Sequence, residues 1–253
     1  MSRLHGTKDF WLGALRTEGP TFRAAITEAP MDAPVPSCPD WTVLDLVHHL
    51  GALYSWVHEI VARGVTDPPS GRSDMTGRPG GDEAVVWWQQ EFDTLVTLLD
   101  GLDPEMPAWN WAPQAKKVGF WPRRMAHETA VHRWDAQMAI AGVEPIETKL
   151  AADGISEVLD SWLPAGRGRG PKPAYGVVHL VATDAEHEWY VRLRGEGMAL
   201  LDTDTILDSD DHHTRTVASG TASDLLLGLW GRIRLDVLDI SGDVALLNSL
   251  RVG

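Results

Sequence analysis

The run His127-Glu128-Thr-Ala-Val-His132 puts two imidazoles and a carboxylate into six consecutive positions. The zinc-protease string His-Glu-x-x-His spaces its histidines four apart, whereas here they are five apart. On an α-helix each residue turns about 100°, so positions five apart lie about 140° from each other around the axis. His127 and His132 therefore cannot grip one ion together. Glu128 and His132, four apart, project from one face a turn apart and can chelate. This removes the protease reading and moves Glu128 from general base to candidate ligand. The same spacing also suits a surface pair that only hydrogen-bonds.

A two-residue chelate needs a third ligand from another element, and the pair His48-His49 supplies the best candidate. Leu46, Leu50, Leu53 and Val57 define the apolar face of their segment, and His49 lies within one residue of its centre. His48 sits further round. His49, Glu128 and His132 would leave a fourth position open, which is the pattern of catalytic rather than structural zinc. Asp135, three residues after His132, is placed to orient that imidazole.

These residues must be carried by helices. Residues 8–29 place Phe10, Leu15, Phe22 and Ile26 near helical spacing before Pro30. After a proline-rich loop, Thr42 and Asp45 stand at capping-box spacing and open a second helix that ends near Gly64. Residues 66–81 hold too many Pro and Gly for a helix and read as a long loop. Asp82 is the expected cap of a third helix ending at Gly101, and 104–121 is irregular. Pro122 suits the first position of a fourth helix that stops at Gly142. Four such helices pack naturally as a bundle.

Beyond Glu144 the signals mix. A helix is expected at 150–163, then a basic glycine-rich loop at 166–173, and a hairpin from 175–183 and 188–194. Residues 198–207 and 214–218 add strands. Thr221 caps another helix, 237–240 is a short strand, and 244–250 is a closing helix. The fold class is α+β, divided near 143–150.

The 253 residues carry a net charge of −14, which argues against nucleic acid and anionic membrane as partners. The single Cys excludes an intramolecular disulfide and an all-cysteine zinc site. No stretch has the length and apolarity of a signal core or membrane span, so a cytoplasmic location is expected.

Cys38 precedes the second helix, where a helix N-terminus lowers a thiol pKa; without a clear basic partner in the sequence, a packing role is the other reading. Lys116, Lys117, Arg123 and Arg124 cluster ahead of the fourth helix, either as solvated charges or as an anion-recruiting patch. Trp41, Trp56, Trp121, Trp134 and Trp230 either fill cores or wall a cleft.

Three blocks carry a family resemblance: Val35-Pro-Ser-Cys-Pro-Asp-Trp-Thr-Val-Leu-Asp-Leu-Val-His-His-Leu-Gly51, Arg124-Met-Ala-His-Glu-Thr-Ala-Val-His-Arg-Trp-Asp-Ala136 and Gly220-Thr-Ala-Ser-Asp-Leu-Leu-Leu-Gly-Leu-Trp-Gly-Arg232. Together they resemble the mycothiol-dependent maleylpyruvate isomerase family. The resemblance implies a DinB-like four-helix bundle over 1–145 and a smaller α/β, sterol-carrier-like domain over 150–253. It also implies a divalent metal, usually zinc, held at the positions of His49, Glu128 and His132. Arg232, in the third block, either clamps a carboxylate and stabilises developing negative charge or caps its helix.

The resemblance further implies that mycothiol arrives as a cosubstrate and that its thiolate attacks a small electrophile. Addition, rotation and elimination would isomerise a cis double bond, while attack on an alkyl or epoxide carbon would end in S-transfer. Two other readings stay open: a non-enzymatic small-molecule-binding protein, and a metal-dependent hydrolase. A monomer or a homodimer is expected.

Overall fold

The computed structural model describes residues 6–71, 78–201 and 214–253. It divides into two compact units, 6–146 and 147–253. The expected strand end at 202–207 lies outside the described residues.

In the first unit, helices α1 (Lys8–Glu28), α2 (Val43–Ala62), α3 (Gly81–Gly101) and α4 (Phe120–Ala139) form a closed four-helix bundle. α1 packs on α4 and α3, and α2 packs on α3 and α4. The helical spacing read from the sequence delivers the core: Leu15, Phe22 and Ile26 from α1, Leu46, Leu50 and Val57 from α2, and Trp88, Phe92, Leu95 and Leu99 from α3. Each fully buried side chain of this kind contributes about 1.5–3 kcal/mol. Two close approaches require glycine. A Cβ at Gly19 would sit 2.2 Å from the Phe92 ring, and one at Gly51 would sit 2.5 Å from the Trp87 ring.

The capping box of α2 forms as expected, with the Thr42 hydroxyl accepting from Asp45 N and the Asp45 carboxylate accepting from Thr42 N. Two helix starts differ from the sequence reading. α3 begins at Gly81 behind Gly80, which offers no side-chain cap, so Asp82 lies inside the first turn rather than before it. α4 begins two residues ahead of Pro122. Proline fits there because first-turn N–H groups lack intrahelical partners anyway.

The loop between α1 and α2 closes on itself. Val35 N donates to Trp41 O, and Val43 N to Ala33 O, both within 3.0 Å. This turn carries Ser37, Cys38 and Trp41 as one rigid piece.

The second unit opens with α5 (Thr148–Glu157), which runs into a π turn at Val158–Trp162. Strands β1 (Ala174–Ala182), β2 (His187–Gly195), β3 (Gly197–Leu201), β4 (Arg215–Gly220) and β5 (Asp239–Gly242) form one sheet of order β3-β2-β1-β4-β5. The expected hairpin is present, with Val178 opposite Val191 in antiparallel register. β1 also pairs parallel with β4, Val178 opposite Thr216. In β2, Trp189, Val191 and Leu193 alternate inward, and the Trp189 indole donates to Ser156 Oγ of α5 at 3.0 Å. Helices α6 (Ala222–Leu229) and α7 (Val244–Asn248) pack on β1 and β4, and Thr221 caps α6 as its spacing suggests. The strand expected at 237–240 is shifted: a 3-10 turn, Leu235–Val237, ends where it should begin, and β5 takes 239–240 and runs on to Gly242. The fold is α+β, as read from the sequence.

Candidate metal centre

α2 and α4 bring His49, Glu128 and His132 together. His49 Nε2 lies 3.0 Å from Glu128 Oε1, and His132 Nε2 lies 3.5 Å from the same oxygen. One ligand atom from each of the three falls within 4.8 Å of the others. Metal–ligand bonds of about 2 Å in a tetrahedron separate neighbouring donors by roughly 3.3 Å, so the spacing fits a single ion. The donor set of two imidazoles and a carboxylate suits a divalent ion of the zinc type.

Helix periodicity separates the two adjacent histidines of α2. His49 faces Glu128, whereas His48 Nε2 bonds Pro79 O at 2.8 Å, holding the end of the α2–α3 loop. His127 is buried elsewhere on α4 and is not one of the grouped ligands.

The His132 ring is fixed from behind. Its Nδ1 lies 2.8 Å from Asp135 Oδ2, and Asp135 Oδ1 accepts from Ser37 Oγ at 2.6 Å. With Nδ1 engaged, Nε2 is directed toward Glu128. Burial disfavours a charged imidazole, but hydrogen bonds involving Asp135, Cys38 and Glu128 raise the pKa of His132 well above its ordinary value. Trp41 lies against both rings, tilted to that of His49 at 5.0 Å between centroids and stacked on that of His132 at 6.0 Å. Cys38, 7% exposed, therefore does have a basic partner in His132, 94 positions along the chain, which no local sequence signal could reveal.

Glu128 is also engaged on its far side. Burial resists its ionisation, yet the Arg124 charge, with hydrogen bonds from His132 and His49, holds its carboxyl well below the usual range. Arg124 Nη2 donates to Glu128 Oε2. The basic cluster read from the sequence is thus divided: Arg124 is buried, Lys116 donates to Asn110 O and Ala112 O inside its loop, and Lys117 pairs with Glu105. The (i, i+4) spacing of Arg124 and Glu128 was the available signal for their pairing.

Among the tryptophans, Trp56 meets Trp109 and Trp121 edge-on, each at 5.9 Å between centroids, while Trp134 is buried. Arg232 belongs to the second unit. There its Nη1 donates to Trp230 O at 3.0 Å, past the left-handed Gly231 that ends α6. That contact lies at the helix end, where one of the two readings of Arg232 places it.

No described helix is long and apolar enough to cross a membrane. No curated protein sequence matches the chain. Two solved structures resemble it, a crystal structure of the mycothiol-dependent maleylpyruvate isomerase and one of a histidine-to-alanine mutant of that enzyme. They are 12% and 13% identical, each alignment covers 92% of both chains, and both have a TM-score of 0.63, a likeness of fold. The family model for the mycothiol maleylpyruvate isomerase N-terminal domain matches residues 12–137, and that for the C-terminal domain of the same family matches 149–249. The metal-ligand candidates and Arg232 thus fall within matched segments, and the chain belongs to the mycothiol-dependent maleylpyruvate isomerase family.

Proposed function

We propose that this chain is a metal-dependent enzyme that uses mycothiol to attack a small electrophile, either isomerising a cis double bond or forming a stable thioether. The observation that carries the reading is the approach of His49, Glu128 and His132 donor atoms, from two helices, to within 4.8 Å of one another. We assign residues 1–145 to the metal-binding domain and 150–253 to a second domain.

A divalent ion at this set, when bound, supplies the field that deprotonates a coordinating thiol near neutral pH. The chain's own residues prepare for that. Asp135, steadied by Ser37, keeps the His132 Nδ1 proton in place so that Nε2 offers its lone pair. Trp41 packs against both imidazoles, of which that of His132 is buried and that of His49 stays 35% exposed to an incoming ligand. Three protein donors leave a corner for sulfur. In the isomerase route the thiolate would add to one alkene carbon as the alkene electron pair moves onto the conjugated carbonyl as an enolate. The resulting single bond would rotate, and collapse of the enolate would expel the thiolate and leave the trans product. Arg232, in the second unit, is proposed as a group that stabilises developing negative charge.

Calorimetric titration of the metal-loaded protein with mycothiol, glutathione and bacillithiol tests this reading. Binding of mycothiol that disappears on metal removal, with little response to the other two thiols, is expected. Equal binding by metal-free and metal-loaded protein would overturn it.

A further inference from the structure

The two oxygens of the Glu128 carboxylate have separate neighbours. Oε1 faces both imidazoles, 3.0 Å from His49 Nε2 and 3.5 Å from His132 Nε2. Oε2 accepts from Arg124 Nη2, one helical turn away on the same face of α4. The Arg124 side chain is only 3% exposed and that of Glu128 13%, so water cannot readily replace this contact.

A carboxylate can bind a cation through one oxygen or through both, and the choice changes the coordination number. A second oxygen on the ion would fill the corner that an incoming sulfur needs. Resting on the metal reading above, we infer that Arg124 is a positioning residue that confines Glu128 to one-oxygen ligation and so keeps a coordination position open. A guanidinium suits the task because its rigid, always charged fork holds a carboxylate oxygen in a fixed direction, which a lysine ammonium cannot do as well.

The test uses the full chain loaded with cobalt(II), whose visible bands report coordination number, together with chelator competition for affinity. Arg124→Gln is expected to weaken cobalt binding by about 10–100-fold, the usual cost of losing a partner of a metal ligand, and to shift the bands toward higher coordination. Arg124→Lys is expected to fall between Gln and the unaltered chain in both readouts. If Arg124→Gln fails to fold, Arg124→Lys decides alone. Affinity and bands equal to those of the unaltered chain overturn the inference, even where the thermal midpoint of the metal-free protein drops. Failure of the unaltered chain to take up cobalt overturns the metal reading and this inference with it. Uptake with indifferent Arg124 variants overturns this inference alone.

Discussion

Helix α4 carries two buried arginine–glutamate pairs, and they are closed differently. Arg133 Nε bonds Glu18 Oε2 of α1 at 2.6 Å, and the same guanidinium donates to Gln137 Oε1, Glu144 O and Pro145 O. That pair is surrounded by protein partners, and its function is to tie α1 and the chain after α4 to the bundle. The Arg124–Glu128 pair is satisfied on one side only by a cation of the protein, and its other oxygen looks at two imidazoles. Burying charge is costly unless every lone pair and proton is met. A fully enclosed ion pair is therefore architecture, whereas a carboxylate with one oxygen on a guanidinium and the other facing two imidazoles from two helices matches the ligand set proposed above.

This contrast can be broken experimentally. His132→Ala removes a donor from the open cluster and is expected to abolish both metal uptake and mycothiol-dependent turnover, as read by metal analysis and activity assay, with the fold retained by circular dichroism. Glu18→Ala strips the closed pair of its anion and should cost about 3–5 kcal/mol of stability in denaturant unfolding, while the metal content of the folded protein stays at the level of the unaltered chain. Asp135→Asn keeps the shape behind His132 but weakens its grip on Nδ1, so metal affinity should fall about 10–100-fold by chelator competition. Ser37→Ala, one step further back, removes a single hydrogen bond and should cost about 1 kcal/mol, a several-fold weaker metal affinity. Equal effects of Glu18→Ala and His132→Ala on metal content would erase the distinction between the two pairs.

Much of the bundle is legible in the sequence because its signals are local. The Thr42–Asp45 box and the apolar series through Leu46, Leu50 and Val57 determine α2, and with it the side of the helix on which His49 lies. The Glu128–His132 spacing is equally local. What escapes is the tertiary setting. Arg124 looks like one more member of a surface cluster until packing buries it. Cys38 and Ser37 meet α4 residues almost a hundred positions later, through a turn whose direction is set by backbone bonds such as Val35 N to Trp41 O. Helix starts err where the first turn tolerates what later turns do not, as Pro122 does. The 3-10 turn at Leu235–Val237 delays the strand read at 237–240 by two residues, a boundary that a short apolar run does not by itself specify.

The self-closed turn that delivers Cys38 to the edge of His132 has a protective side. On the function proposed above, an electrophilic substrate would also threaten the protein's own sulfur. Here that sulfur is the chain's sole thiol and lies 7% exposed within a loop closed by its own backbone bonds, so a reactive molecule arriving from solvent would meet a diffusible thiol before it met Cys38.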